Sequence, residues 1–203
     1  MAFDTYMQFI PALGSGAGKP IEGESQVQLD LSNDKLAGQS PALQVGALFE
    51  IDDFNFDIEQ VLNIGSQSSG AGAGKVTFNP FQITRKIDRA TPLIYSMCCA
   101  GQHFSQVSLC LRRAGGGVAA SSGSMTSGTT FLRFDFALVA VKTVSWSGSD
   151  GDDSPKEEVA FEYGALKVTY QQQDVTGGAK GGLVSQAWNR VYNNNNYTTI
   201  AAT

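Results

Sequence analysis

The sequence predicts a mainly β fold, a single curled antiparallel β-barrel with one packed α-helix at about residues 91–100. Three observations predict it: apolar residues that alternate with period two, alternation that changes phase within a strand, and one helical segment. The 203-residue chain is 42% hydrophobic and only 16% charged. A chain of this length can bury a substantial core in one domain. We therefore predict one domain over 1–203, with a polar C-terminal tail near 177–203.

Alternating apolar residues predict strands over 76–87, 107–111, 131–144 and 159–170. In the last of these, the apolar positions are odd up to Tyr163 and even from Leu166, with residues 164–165 at the change. One extra residue at a glycine is typical of a β-bulge or a barrel corner. A similar change occurs between Ile51 and Phe54. Strands that change phase midway suit a sheet that curls into a barrel.

One segment, residues 88–101, has the pattern of a helix. Thr91 is predicted as the N-cap, Pro92 as the first helical residue, and Gly101 as the left-handed residue that ends the helix. The core face of this helix is predicted to contain Leu93, Ile94 and Met97. A broad apolar face of this kind packs against a barrel rather than facing water.

The charge balance and the cysteines exclude several classes of protein. The net charge of −5 disfavours binding to nucleic acid. The apolar stretch 136–141 is far shorter than the roughly 20 residues of a membrane span, so no membrane insertion is expected. The N-terminus lacks the basic region of a signal peptide. Three cysteines, two of them adjacent, make a poor disulfide framework, so we expect reduced, buried thiols.

A search for catalytic, cofactor and metal motifs predicts none of these sites. Gly-Lys pairs at 18–19 and 74–75 lack the preceding glycine and the following Ser or Thr of a phosphate loop. His103 is the only histidine, and the cysteines lack zinc spacing. The acidic stretch 150–153 reads as a solvated turn rather than a calcium loop. The chain is therefore expected to be a structural or interaction protein, with no cofactor and no enzymatic activity.

Segments 83–93, 101–104 and 107–116, with the predicted helix between the first two, closely resemble the haemolysin-coregulated protein family. The signature residues of this resemblance are Asp88, Pro92, Gly101, His103, Phe104 and Gly115. Similar pieces in the family's order lie at 1–6, 23–25, 72–76, 157–164 and 168–171. Relative to the family pattern, residues 27–48 are an insertion.

The resemblance implies the inner tube of the type VI secretion system. Its subunits would form hexameric rings that stack into a hollow tube, inside sheath, spike and baseplate proteins, with small effector proteins carried in the lumen. The chain would assemble in the bacterial cytoplasm and be secreted without a signal peptide. The loop that would join stacked rings is assigned to 65–75, with Ser66, Gly70, Gly72, Gly74 and Lys75.

Two other functions remain open at the level of sequence. One is a related phage-like or extracellular injection tube protein. The other is a free adhesive or ligand-binding β-module that does not assemble. Rings with a central hole would distinguish a tube protein from a monomeric binding module.

Overall fold

A computed structural model describes residues 3–12, 18–62, 73–113, 128–151, 153–173 and 179–197. These residues form one helix and ten strands. In chain order the elements are β1 (Phe3–Pro11), β2 (Phe49–Glu50), β3 (Asp53–Asn55), β4 (Ile58–Leu62), β5 (Ala73–Phe78), β6 (Phe81–Lys86), α1 (Thr91–Ala100), β7 (His103–Arg113), β8 (Thr129–Ser147), β9 (Lys156–Gln173) and β10 (Ala179–Asn189). The predicted mainly β fold with one packed helix is confirmed.

Eight of the ten strands form one curled antiparallel sheet, with the order β2-β1-β7-β8-β9-β6-β3 and with β10 paired to β9. The long strand β9 pairs with β6 along its N-terminal half and with β10 along its C-terminal half. Strands β4 and β5 form a separate hairpin. The chain itself joins the two ends of the sheet, since Ile51 donates its N–H to Thr5 of β1 and Asp52 donates its N–H to Thr84 of β6.

The sheet turns a corner by changing which residues face its core. Tyr163 and Leu166 on β9 both lie in the barrel core, although an odd number of positions separates them. On neighbouring β8, Phe136 and Val139 do the same, and Leu138 between them has a left-handed φ of 50°. Alternate residues of a regular strand point to opposite faces, so each strand must change face here. The change of face predicted within residues 159–170, which lie in β9, is confirmed.

Two segments that were predicted as single strands are divided. Residues 76–87 contribute to β5 and to β6, which pair with different neighbours. Residues 79–80, Asn-Pro, separate them, because proline has no N–H to donate to a ladder. Likewise, the phase change between Ile51 and Phe54 is not a bulge within one strand. It marks the passage of the chain from β2 to β3.

The helix α1 begins one residue earlier than predicted and is not capped by Thr91. Ala90 occupies the N-cap without a side-chain hydrogen bond, and Thr91 is already helical. Asp88 instead accepts the Ala90 N–H at 2.9 Å. The predicted end is confirmed, since Gly101 has a left-handed φ of 63°. Within the described residues, no helix is long and apolar enough to cross a membrane.

The buried face of α1 is narrower than predicted. Ile94 and Met97 lie in the barrel core, 0% and 3% exposed, as expected. Leu93 is 42% exposed, so its assignment to the helix core is wrong. Ile94 and Met97 lie three positions apart and share one side of a helix, whereas Leu93 lies beside that stripe.

All three cysteines are free in the structure, and the reduced state of their thiols stays a prediction. The prediction that they are buried is confirmed for one of the three and wrong for the other two. Cys110 is buried, Cys98 is half-buried and Cys99 is exposed. The burial of Cys110 raises the pKa of its thiol to about 12.

Candidate assembly surfaces

A buried ionic network fixes the start of the helix to the barrel. Arg85 of β6 lies 2.6 Å from the Glu157 carboxylate of β9, and these side chains are 1% and 0% exposed. The same guanidinium donates to Asp88 at 2.8 Å and to the Thr91 hydroxyl at 3.1 Å. Buried charges are tolerated when they are paired and hydrogen-bonded. The network therefore sets the position of α1 on the sheet.

An exposed aromatic pair lies above this network. Trp146 of β8 donates its indole N–H to Glu157 at 2.9 Å, and its ring centroid is 5.8 Å from that of Tyr95 on α1. The two side chains are 47% and 50% exposed. We call them the helix patch. Exposed apolar surface of this kind often marks contacts with other proteins.

A second exposed apolar surface follows β10. Val184 of β10 pairs with Tyr170 of β9, and both side chains are exposed. Trp188 near the end of the strand is also partly exposed. Among the described residues, β10 pairs along its length only with β9, which leaves its other edge free. A free edge presents backbone groups that can pair with another strand.

The segment 27–48 packs against the face of the sheet that is opposite the barrel core. Its Ala37, Leu43 and Leu48 form a small apolar cluster with Tyr6 of β1 and Cys110 of β7. Their strand neighbours face the barrel core on the other side. We call residues 30–44, which cover this outer face, the clasp.

Polar side chains of the sheet hold the clasp from below. Arg133 of β8 is fully buried and donates to the carbonyl oxygens of Leu36 at 2.7 Å, Gln39 at 3.1 Å and Pro41 at 2.7 Å. In the other direction, the buried carboxylate of Asp34 accepts both the N–H and the hydroxyl of Thr130 at 2.8 Å. Such charge-assisted bonds fix the position of a loop that makes no β-ladder with the sheet.

A further bond to the clasp comes from β1. Gln8, 1% exposed, accepts the Gln44 N–H at 2.8 Å and donates to the Ala42 carbonyl at 3.3 Å. This buried side-chain amide donates one hydrogen bond and accepts another, as a backbone peptide group does in a β-ladder. The clasp is therefore hydrogen-bonded to two strands, β1 and β8, and packs against a third, β7, at Cys110.

Among the described residues, no group of three or more His, Cys, Asp or Glu side chains is arranged to hold a metal ion. A groove of about 230 Å³ has Asp53, Gln82, Thr84 and Glu158 among its lining residues. These are polar residues on the sheet surface between β3 and β9.

Comparison with known proteins identifies the family. The model of the family described as "Type VI secretion system effector, Hcp" matches residues 18–170. The chain belongs to the Hcp family. Protein hcp1 of Pseudomonas aeruginosa is 34% identical over 115 residues, which span 57% of this chain and 65% of that protein. The match to this curated relative thus covers slightly less than two thirds of its length.

Solved structures agree with this fold. A type six secretion system protein superposes with a TM-score of 0.72 at 23% identity, covering 96% of this chain and 100% of that chain. Hcp1 from Salmonella typhimurium superposes with a TM-score of 0.62 at 23% identity, covering 96% of this chain and 99% of that chain. At these identities the likeness concerns the fold alone.

The six residues to which the sequence resemblance was assigned lie mostly around the helix. Asp88 and Pro92 lie at its start and Gly101 at its end. His103 begins β7, where it pairs with Ala140 of β8, and Phe104 is fully buried in the barrel core. The sixth signature residue, Gly115, lies outside the described residues. Five of the six thus lie in the segment that packs α1 against the sheet.

The loop assigned to ring stacking is shorter at its C-terminal end than predicted. Gly74 and Lys75 lie in β5 rather than in a loop. Ser66, Gly70 and Gly72 lie outside the described residues. The hairpin β4–β5 that carries this loop ends in the pair Leu62 and Ala73.

The polar C-terminal tail predicted near 177–203 is in part regular structure. Residues 179–189 form β10, and the chain then turns back so that Asn189 and Asn194 form an isolated β-bridge. Asn189 is fully buried and accepts the N–H groups of Val191 and Tyr192 at 3.0 Å. This turn was not predicted, because a run of asparagines has the composition of a disordered tail.

The sequence patterns do not indicate the charged residues that hold α1 and the clasp in place. Arg85 and Glu157 lie in segments that carried the family resemblance, but nothing in their spacing pairs them. Arg133 and Asp34 come from segments that are far apart in the chain. A signal was present in β8, where Arg133 and Asp135 share one face of a strand whose other face is apolar.

Proposed function

We propose that this protein is the subunit of a type VI secretion inner tube. In this proposal six copies form a ring, rings stack head to tail into a hollow tube, and small effector proteins travel in the lumen. Sheath, spike and baseplate proteins would be its other partners. Assembly would occur in the bacterial cytoplasm, followed by secretion.

The match of the Hcp family model to residues 18–170 carries this proposal. The surfaces are compatible with it, since the helix patch and the free β10 edge are separate exposed regions. A ring needs two different surfaces on each subunit that meet in a closing rotation. The role proposed is structural rather than catalytic.

Electron microscopy of the purified protein tests ring formation. Hexameric rings with a central hole are expected, together with a hexamer mass in native mass spectrometry. A population of monomers alone at micromolar concentration would contradict the tube proposal and favour a free β-module. Tyr95→Glu would place a charge in the helix patch and test whether this surface takes part in the ring.

Stacking is tested by replacing residues 63–72 with an Asn-Gly turn between Leu62 and Ala73. These two residues pair across the hairpin, so a two-residue turn can join them without disturbing the sheet. We expect rings to persist and tubes to be lost. The matched control replaces residues 114–128 between the paired residues Arg113 and Thr129.

Tubes of normal length in the first variant would remove the 65–75 loop from stacking. Loss of rings as well would mean that the loop acts between neighbours within a ring. Loss of tubes in both variants alike would show that any shortened loop impairs stacking. In that case the specific assignment of 65–75 would fail.

A further inference from the structure

Two separate segments meet on the outer face of the barrel, above one buried carboxylate. The clasp covers β1, β7 and β8, while residues 190–197, which we call the tail segment, follow β10. Asp135 of β8 is fully buried between them. Among the described residues, no β-ladder joins the clasp to the tail segment.

One carboxylate oxygen of Asp135 is connected to the clasp through Arg133. Its Oδ1 accepts from Arg133 Nε at 2.8 Å, Ser108 Oγ at 2.7 Å and Gln106 Nε2 at 3.2 Å. Arg133 uses its two remaining nitrogens for the carbonyl oxygens of residues 36, 39 and 41. Asp135 therefore neutralises and orients the guanidinium that binds the clasp.

The other carboxylate oxygen is connected to the tail segment through Lys167. Oδ2 of Asp135 lies 3.2 Å from Lys167 Nζ of β9, whose side chain is only 20% exposed. The ammonium lies 5.1 Å from the centroid of the Tyr197 ring. The Tyr197 hydroxyl is buried without a hydrogen-bond partner, and this burial raises its pKa. The ring of Tyr197 thus covers part of Lys167 and limits the access of water to the Lys167–Asp135 pair.

We propose that Asp135 couples the two segments, so that release of the tail segment loosens the clasp and release of the clasp loosens the tail segment. When Tyr197 leaves, water reaches Lys167 and Oδ2, and the carboxylate becomes hydrated. Its attraction for Arg133 then weakens, because ion pairs and hydrogen bonds are stronger in a dry, low-dielectric environment. When the clasp leaves, Arg133 is hydrated and the Lys167–Asp135 pair weakens by the same mechanism.

Cys110 provides a direct measure of clasp opening. Its thiol is fully buried in the cluster formed by Tyr6, Ala37, Leu43 and Leu48. A buried thiol is inert to Ellman's reagent, since the thiolate is the reactive form. With Cys98→Ser and Cys99→Ser as background, the labelling rate of Cys110 under native conditions measures how often the clasp opens. A rate that does not change in low urea identifies local rather than global opening.

The first experiment compares Tyr197→Ala with its matched control Tyr192→Ala in this background. Tyr192 belongs to the same tail segment and is 58% exposed. We expect Tyr197→Ala to raise the labelling rate of Cys110 about tenfold, within the range of coupling seen inside one polar network. Tyr192→Ala should stay within about twofold of the parent by the same reasoning. Equal rates for the two variants would overturn the proposal.

A double-mutant cycle tests whether the coupling passes through the ion pair. Lys167→Met keeps the side-chain stem and removes the charge. In the Lys167→Met background, Tyr197→Ala should add almost nothing to the labelling rate. If the two effects multiply instead, the tail segment acts on the clasp without Asp135, and the proposal fails.

The reverse direction is measured at the tail segment. Asp34→Ala removes an anchor of the clasp, and Lys35→Ala is the matched control because Lys35 is exposed. Hydrogen exchange of the amides of residues 190–192 should become several-fold faster in Asp34→Ala only, since coupling is reciprocal. Gln8→Ala, which loosens the clasp more mildly, serves if Asp34→Ala does not fold. Unchanged exchange in a variant with raised Cys110 labelling would refute the coupling.

Discussion

Removal of the Arg85 guanidinium should destabilise the whole barrel, because it leaves Glu157 charged and buried. In the folded protein Arg85 contacts Glu157, Asp88 and Thr91, and its guanidinium lies 5.3 Å from the ring centroid of Phe49. Arg85→Met keeps much of the volume and removes every polar contact. Loss of one member of a buried ion pair costs about 3–5 kcal/mol. Asp88 is 13% exposed and gains hydration, so we expect about 4 kcal/mol rather than more.

The assay is urea denaturation followed by tryptophan fluorescence, with the free energy of unfolding as the readout. Glu157→Met in the Arg85→Met background should restore most of the loss, because no buried charge remains unpaired. Lys142→Met is the control. It breaks an ion pair with Glu162 whose side chains are 50% and 40% exposed, and solvent screening limits this loss to about 1 kcal/mol at most. Equal losses for Arg85→Met and Lys142→Met would refute the reasoning.

Three further substitutions test local features, each by the free energy of unfolding. Met97→Ala should cost about 2–4 kcal/mol, and Leu93→Ala less than about 1 kcal/mol, because only Met97 is buried; equal losses would contradict this packing. Gly101→Ala should cost about 1–2 kcal/mol, since its φ of 63° strains any side chain, and no loss would argue against this cap. Cys110 should make the protein less stable by about 1.4 kcal/mol at pH 10 than at pH 7. The reason is that the thiol of the unfolded chain ionises above its ordinary pKa of 9.0, while the folded thiol stays protonated up to about 12. The pH curve of Cys110→Ala should lack this fall.

Local signals in the sequence were enough for the helix and for the corner of the sheet. Proline favours the first turn of a helix and glycine the left-handed residue that ends it, so Pro92 and Gly101 predicted the bounds of α1 to within a residue. The change of face at residues 164–165 is visible as a change of phase in apolar residues. The proline at residue 80 was an equally local signal, and it marks the division between β5 and β6.

Long-range pairing could not be predicted in the same way. Periodicity identified a broad apolar face on the helix, but which part of that face meets the barrel depends on residues that are distant in the chain. Leu93 was misassigned for this reason. Arg133 is neutralised by Asp135 on its own strand and by carbonyl oxygens of the clasp more than 90 positions earlier. A single sequence contains no pattern that joins those positions.

The place of β1 in the sheet has a consequence for how the chain reaches its fold. β1 lies between β2 and β7, and its first residue, Phe3, pairs with Arg113. During synthesis β1 leaves the ribosome long before its main partner exists. Closing so long a loop costs conformational entropy before the hydrogen bonds between β1 and β7 can form. Such long-range pairing is typical of slow-folding proteins with high contact order. β2 can cover one edge of β1 once residue 50 has emerged, but the other edge stays open to aggregation until β7 emerges. Conditions that slow translation should therefore lower the yield of folded protein.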